Sequence, residues 1–196
     1  MCAVVLAAGS SKRMVRPKLL LPYGDSTLLQ RAVGAALEAG LGRTIVVLGH
    51  AASQARHLIM RSWPGRDDLE IVFNPDYHSG MSTSLRAGLA AAAGRAKVVV
   101  FCLGDQPLVT GAIIRRLAEA YLGTTPLPLI VAPRCAGQRG NPVLIDERLF
   151  PELLKLTGDV GAREVVEAHL GEAVLVDSGP EVLVDMDTPE DLAQLR

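Results

Sequence analysis

The 196-residue sequence predicts an α/β fold in which a mostly parallel sheet is covered by helices on both faces. Short apolar runs rich in Val, Ile and Leu alternate with longer amphipathic patterns, and this order recurs through most of the chain. The short runs are apolar throughout, which is typical of strands buried on both faces. Since domains usually hold about 100 to 200 residues, we expect a single domain over residues 1–196.

The predicted strands cover residues 3–7, 44–48, 70–73, 98–103, 129–132 and 174–176. Between them, apolar residues at helical spacing predict helices over residues 26–39, 51–61, 82–93, 110–121, 162–169 and 190–195. In the first helix we expect Ser26 to be the N-cap and Gly40 to be the C-terminal stop. Cys102 falls in an apolar strand, so we expect it to be a small core residue.

One segment interrupts the alternation of strands and helices. Residues 134–146 contain Gly137, Gly140 and Pro142, which favour turns and loops. We therefore predict a small flap beside the sheet over these residues.

The composition excludes several classes of partner. Lys and Arg number 20 against 21 Asp and Glu, so the formal net charge is −1. A net charge this close to zero gives no electrostatic footprint for duplex nucleic acid or for an anionic membrane. No apolar run approaches the ~18 residues that span a bilayer. We expect neither a nucleic-acid partner nor a membrane segment.

The cysteines and histidines give no metal or disulfide pattern. Cys2, Cys102 and Cys135 are far apart and show no C-x-x-C spacing, which favours a reducing, cytoplasmic location. The four histidines are scattered without ligand spacing. The apolar start at residues 2–8 lacks the basic leader of a signal peptide, and we interpret it as a buried strand.

The loop after the first strand carries glycine, small residues and cations. Small residues let backbone N–H groups approach a phosphate, and Lys12, Arg13 and Lys18 would neutralise it. Neither G-x-x-x-x-G-K-[ST] nor G-x-G-x-x-G is present, which argues against a P-loop NTPase or a dinucleotide oxidoreductase. The alternative is that Gly9 only makes a turn and the cations are solvated.

Ligands of open α/β sheets bind beyond the carboxyl ends of the strands, where the loops from residues 8, 49, 74, 104 and 133 begin.

Several sequence blocks resemble one family. Leu6-Ala7-Ala8-Gly9, then Arg13-Met14 and Lys18-Leu19-Leu20, resemble the signature L-A-A-G-x-x-x-R-M-G-x-x-K-x-L of the MobA-like nucleotidyltransferases. Val15 departs from the signature glycine. The later blocks follow in the family's order at residues 74–77, 80–85, 104–107, 139–142, 158–163 and 187–191. Within the family, the sequence looks most like the molybdenum cofactor cytidylyltransferases.

The resemblance implies both a fold and a reaction. The fold is a Rossmann-like three-layer sandwich of the nucleotide-diphospho-sugar transferase type. The reaction transfers CMP from CTP to molybdopterin with Mg²⁺, and the product would pass to a molybdenum hydroxylase apoenzyme. The phosphate that attacks has a second pKa of roughly 6, so no strong protein base is needed. A GTP-using guanylyltransferase, transfer to another phosphorylated small molecule, and a noncatalytic molybdenum cofactor carrier are the alternatives.

The resemblance also assigns roles to residues. Arg13 and Lys18 would hold the triphosphate and offset charge in the transition state. Asp105 directly follows a buried strand and would bind Mg²⁺, although an Asp also suits a turn there. By resemblance Asp187 would be the second metal ligand, with Asp185 in reserve, although Asp187 also suits a helix N-cap.

The remaining predicted contacts concern the base and the acceptor. Gly9 and Ser11 would donate to phosphate. The end of the first strand would form the floor of the base pocket, and in the family L-A-A-G accompanies cytidine users; these residues are Leu6, Ala7 and Ala8. Ser82 and Ser84 open a helix and would contact the acceptor, or they only cap that helix. Asn141, where many relatives have histidine, is a further acceptor candidate.

Overall fold

A central sheet runs through the computed structural model, which describes residues 1–9, 17–186 and 191 of the chain. The strands are β1 (Cys2–Ala7), β2 (Pro22–Tyr23), β3 (Ser26–Thr27), β4 (Arg43–Leu48), β5 (Leu69–Phe73), β6 (Val98–Leu103), β7 (Ile130–Cys135), β8 (Gln138–Arg139), β9 (Val143–Asp146) and β10 (Ala173–Asp177). The helices are α1 (Leu28–Glu38), α2 (Ala52–Ser62), α3 (Met81–Ala92), α4 (Gly111–Gly123), α5 (Phe150–Leu153) and α6 (Arg163–Ala168).

The strand order within the described residues is β10-β7-β9-β6-β1-β4-β5, with β8 paired to β7 and a separate β2-β3 pair. Strands β6, β1, β4 and β5 are parallel to one another, as are β7 and β10. Strand β9 runs antiparallel to both of its neighbours, β6 and β7. The predicted mostly parallel α/β sheet is confirmed.

Helices cover both faces of this sheet. Successive side chains of a strand point to opposite faces, so neighbouring residues of one strand pack against different helices. In β1, Val5 is buried in a cluster with residues of α1, α2 and α4. Val4 is buried in a second cluster with residues of α3, α5 and α6. Cys102 belongs to the first cluster, as predicted, and burial raises the pKa of its thiol to about 12. The architecture is therefore a three-layer sandwich.

The N-cap of the first helix lies one residue later than the sequence predicted. Ser26 and Thr27 form β3, and Thr27 rather than Ser26 is the N-cap. The Thr27 hydroxyl accepts from the backbone N–H of Gln30 at 3.2 Å, and Gln30 Oε1 accepts from the N–H of Thr27 at 2.9 Å. This reciprocal pair satisfies two donors at once, so it outcompetes a cap on Ser26. The predicted helix over 190–195 lies outside the described residues except for position 191.

The segment 134–146 differs from the predicted flap. Its last four residues form β9, a buried strand between β6 and β7 in the main sheet. Its first part is a hairpin of the same sheet, in which Arg134 and Cys135 of β7 pair with Arg139 and Gln138 of β8. The sequence shows no helix before β9, and an antiparallel strand needs none because a short connection can reverse the chain.

A buried network fixes the end of β9. Asp146 Oδ1 accepts from the backbone N–H of Arg148 at 3.0 Å and from its Nε at 2.6 Å, and Asp146 Oδ2 accepts from the Tyr121 hydroxyl. Burial by itself would raise the pKa of Asp146, but the bonds from Arg148 and Tyr121 outweigh it and the pKa is lowered. Burial and the bond to Asp146 raise the pKa of Tyr121 to about 12.

This network predicts a pH-dependent stability. A carboxylate with a lowered pKa stabilises the fold fully above its ordinary pKa of about 4, and loses that contribution as the pH falls through the lowered value. The difference in free energy of unfolding between wild type and Asp146→Asn should therefore be largest at pH 5 to 7 and shrink below about pH 4. Urea unfolding across this range measures it, with exposed Asp67→Asn as the control. A difference that does not change with pH would contradict the prediction.

In the part of the chain that the structure describes, no helix is long and apolar enough to cross a membrane.

Candidate functional site

The ends of three parallel strands converge where the sequence predicted a site. Ala8 and Gly9 follow β1, Gly49 follows β4 and Gly104 follows β6. The N–H of Gly104 donates to the Leu6 carbonyl at 3.0 Å, which ties the loop after β6 to β1. A Cβ on Gly104 would lie 3.1 Å from that carbonyl oxygen, so glycine allows the close approach.

A lysine and an aspartate meet at this edge. Lys18 Nζ lies 2.7 Å from Asp105 Oδ2, although the two residues are 87 positions apart. Their side chains are only 11% and 24% exposed, so the pair is poorly screened by solvent. Lys18 opens a short 3-10 helix (Lys18–Leu20) in which Leu19 and Leu20 pack on the core. This packing holds the lysine over the strand ends.

The predicted phosphate loop lies beside this pair. Gly9 and Lys18 line one small cavity together with Ala7, and the wall continues through residues 17, 19, 20, 50, 51 and 55. The N–H of His50 donates to the Ala8 carbonyl at 3.2 Å, which joins the loops after β1 and β4. The structure therefore brings Ala7, Ala8, Gly9, Lys18 and Asp105 to one place.

Residues near the C-terminus join the site through the turn after β6. The N–H of Met186 donates to the Asp105 carbonyl at 3.0 Å, and Gln106 Nε2 donates to Asp185 Oδ1 at 2.7 Å. The structure thus places Asp185 beside the Asp105 turn. The predicted site residues Ser11, Arg13 and Asp187 lie outside the described residues, so their positions stay predictions.

The donor atoms suit a hard divalent cation. Carboxylate oxygens are the protein ligands of Mg²⁺ and Mn²⁺, and one or two of them suffice when water and phosphate oxygens complete the shell. Among residues 1–9, 17–186 and 191, no group of three or more His, Cys, Asp or Glu could enclose a metal. Among the described residues, Asp105 and Asp185 are carboxylates at this edge of the sheet that could serve as ligands of such an ion.

The helix α3 carries the predicted acceptor serines. The Ser82 hydroxyl donates to the Gly158 carbonyl at 2.8 Å, and Ser84 Oγ accepts from Asn74 Nδ2 at 2.9 Å. Both serines are buried, and the Asn74 amide also reaches Thr83. The structure gives both hydroxyls partners within the fold, so contact with an acceptor would require these bonds to be shared or exchanged.

Asn141 is placed by a different part of the chain. Its backbone N–H donates to the Val182 carbonyl at 3.0 Å, and a Cβ on the preceding Gly140 would lie 2.4 Å from the same oxygen. Asn141 is therefore tied to the 3-10 helix Pro180–Leu183, whereas Ser82 is tied to Gly158.

Gly80 joins two of the sequence blocks that the resemblance singled out. Its φ is +110°, and a Cβ there would lie 2.2 Å from the carbonyl carbon and oxygen of Gly158. Asp159 Oδ1 also accepts from the N–H of Met81 at 3.2 Å. The loop from residue 158 therefore packs directly on the start of α3.

This contact predicts a substitution effect. Gly80→Ala forces a side chain into an unfavoured backbone region and against Gly158, so we expect the free energy of unfolding to fall by about 1–3 kcal/mol or more. Urea unfolding measures the loss. Gly123→Ala is the matched control, because no atom lies within 4 Å of the position that its methyl group would take and its φ is not positive. Equal stability of the two variants would contradict the prediction.

Sequence reasoning assigned no role to Gln106 or Asn74. Gln106 lies directly after the predicted metal ligand Asp105 in G-D-Q-P, and Asn74 opens the block 74–77. Their positions within these blocks were the available signal. Their hydrogen-bond partners could not be read from spacing.

The fold is the nucleotide-diphospho-sugar transferase fold of nucleotidyltransferases. The chain belongs to the MobA-like NTP transferase domain family, which matches residues 3–174. The predicted family is therefore confirmed.

Three relatives illustrate the range within this similarity. The chain is 33% identical to the nicotine blue oxidoreductase of Paenarthrobacter nicotinovorans, over 98% of this chain and 94% of that protein. It is 26% identical to the molybdenum cofactor cytidylyltransferase of Escherichia coli strain K12, over 96% and 91% of the two chains. The crystal structure of Rv0371c from Mycobacterium tuberculosis superposes with a TM-score of 0.82 at 34% identity, over 99% and 96% of the chains. That protein has also been crystallised in complex with manganese.

Proposed function

We propose that this protein transfers CMP from CTP to molybdopterin cofactor and releases pyrophosphate. The observation that carries the proposal is the Lys18–Asp105 pair at the carboxyl ends of β1 and β6, beside Gly9. Family membership and the cytidylyltransferase relative from Escherichia coli support the reaction class and the acceptor. The L-A-A-G at residues 6–9 supports CTP as the donor.

The described residues can align and neutralise a triphosphate. Nucleotidyl transfer depends mainly on in-line positioning and on stabilisation of developing charge. The ammonium group of Lys18 would bind phosphate oxygens, and the N–H of Gly9 would donate to the same group. A divalent cation, with Mg²⁺ as the proposed ion, would supply further charge neutralisation when bound. Asp105 and Asp185 would hold it, with Asp187 proposed from the sequence block.

Other residues enter the proposal from the motif or from their place in the fold. Arg13 and Ser11 would contact the triphosphate. The floor of the base pocket would be Leu6, Ala7 and Ala8. Ser82, Ser84 and Asn141 would face the acceptor. No observation supports the expected molybdenum hydroxylase recipient, and it is not included.

A redox activity is the second candidate. The 33% identical relative is named an oxidoreductase, so membership of this family does not restrict a chain to nucleotide transfer. The absence of G-x-G-x-x-G from the sequence favours transfer. The two candidate activities differ in their reactants. Nucleotide transfer consumes a nucleoside triphosphate, whereas reduction consumes a hydride donor.

A pyrophosphate-release assay tests the proposal. Purified protein with MgCl₂ and CTP should release pyrophosphate only when molybdopterin cofactor is added, and should form the cytosine dinucleotide. GTP in place of CTP is the matched arm, and faster release with GTP would assign the guanylyltransferase reaction instead. Cofactor binding without pyrophosphate from any triphosphate would indicate a carrier. Oxidation of NADH or NADPH with a quinonoid dye, without pyrophosphate release, would support the redox candidate.

A further inference from the structure

Gln106 is a buried side chain that is only half satisfied. It is 2% exposed, and its amide nitrogen donates to Asp185 Oδ1 at 2.7 Å. Its amide oxygen is buried and has no hydrogen-bond partner among the described residues. A buried carbonyl oxygen without a donor destabilises a fold, and such groups are uncommon in native proteins. Stability therefore does not explain why an amide stands here.

The partner of Gln106 needs no buried donor. Asp185 is exposed, so its carboxylate is accessible to water. A hydrogen bond to a charged carboxylate stabilises a fold, and the unpaired buried amide oxygen of Gln106 destabilises it by a similar amount, so the two effects largely cancel. The bond also ties one oxygen of the Asp185 carboxylate to the Gln106 amide.

The amide is mounted on a fixed turn. The backbone N–H of Gln106 donates to the Leu103 carbonyl at 3.4 Å, and the backbone carbonyl of Gln106 accepts from the N–H of Val109 at 3.3 Å. The N–H of Met186 donates to the Asp105 carbonyl at 3.0 Å, so the two chain segments are joined by a backbone bond and a side-chain bond. Gln106 therefore couples the orientation of Asp185 to the turn that carries Asp105.

We propose that Gln106 is a positioning residue, which orients the Asp185 carboxylate beside Asp105 so that a divalent cation meets two prearranged carboxylates. This inference rests on the proposed function, because only a metal-dependent reaction needs that arrangement. Residues that orient metal ligands through a hydrogen bond typically change metal affinity by about 10- to 100-fold when they are replaced. Glutamine supplies the required donor without adding a negative charge next to the ligands.

Gln106→Met tests the role, because methionine keeps the length and apolar stem but removes both amide atoms. The probe is Mn²⁺ alone, titrated by electron paramagnetic resonance, and thermal unfolding is measured on the same samples. We expect the Mn²⁺ Kd to rise by about 10-fold while Tm stays equal to that of wild type or rises. In the pyrophosphate assay we expect kcat to fall by about 10-fold and KM for CTP to stay within about twofold.

Further variants identify the cause. Asp185→Asn should reproduce the loss of Mn²⁺ affinity, and Gln106→Met should add nothing to it in the double variant, since both act on one ligand. Val109→Ala is the matched control, because Val109 is buried and lines the same small cavity as Gln106. It should lower Tm and leave Mn²⁺ affinity unchanged. If Gln106→Met does not fold, Gln106→Asn replaces it, because asparagine keeps the amide group on a shorter side chain.

Three outcomes would overturn the inference: no Mn²⁺ binding by wild type, a Gln106→Met Kd within about twofold of wild type, or fully additive losses in the double variant. If Mn²⁺ affinity follows the expected pattern but wild type releases no pyrophosphate with any triphosphate, the proposed function fails and the positioning role stands.

Discussion

Asp105→Asn should lower kcat for pyrophosphate release by about a hundred- to a thousand-fold, the range found when a preorganised charge-stabilising group is removed. Asn keeps the size of the side chain and removes the negative charge that would hold the cation. It also removes the Lys18–Asp105 ion pair, in which Lys18 Nζ lies 2.7 Å from Asp105 Oδ2 and the lysine side chain is only 11% exposed. Steady-state rates with CTP and molybdopterin cofactor at several Mg²⁺ concentrations measure the effect. The variant should need a higher Mg²⁺ concentration than wild type to reach its half-maximal rate.

The control for this variant is Asp25→Asn. Asp25 is exposed in the turn between β2 and β3, so the same chemical change there should leave the rate unchanged. Circular dichroism of both variants checks that the fold is kept. A rate for Asp105→Asn within about threefold of wild type, at subsaturating Mg²⁺, would remove Asp105 from the metal site.

Lys18→Ala should lower kcat by a similar factor of about a hundred or more, with a smaller change in the dissociation constant for CTP. The ammonium group binds phosphates in the ground state, but its charge is worth most when negative charge develops in the transition state. Single-turnover rates and equilibrium CTP binding separate the two effects. Equal kcat in the variant and wild type would reject the role.

Lys97→Ala is the matched control for Lys18→Ala. Lys97 precedes β6 at the opposite end of the strand from Asp105, and its side chain is 85% exposed. Removing it should change neither kcat nor CTP binding. Because Lys18 and Asp105 form one pair, the double variant should lose less than the product of the two single losses. Full multiplicativity would indicate that the pair does not act as a unit.

Two features that the sequence pattern did not show share one cause: the sequence pattern is local, and the deciding partner is not. Residues 143–146 show an apolar run, but their place between β6 and β7 depends on pairing with strands more than ten residues away. Ser82 and Ser84 suit a helix start, yet their hydroxyls are engaged by Gly158 and Asn74. Such pairings are set by packing of the whole chain.

The choice between Ser26 and Thr27 as the N-cap, by contrast, depends on neighbouring residues. Both residues suit an N-cap, and the sequence places Gln30 at the capping-box position of Thr27 only. The extended pairing of Ser26 with Tyr23 in the β2-β3 hairpin also removes Ser26 from the cap. Here the deciding signal was present in the sequence, as a glutamine three residues beyond the correct cap.

Apolar periodicity and the sequence blocks by themselves determined the layer architecture, the order of most strands and helices, and the family. Burial of continuous apolar runs leaves few alternatives to a covered parallel sheet. Only the tertiary structure decided that Lys18 contacts Asp105 and that Gln106 holds Asp185, contacts that span 87 and 79 positions. Periodicity encodes which side of an element is buried, whereas a contact between distant side chains depends on the register and the turns that bring their elements together.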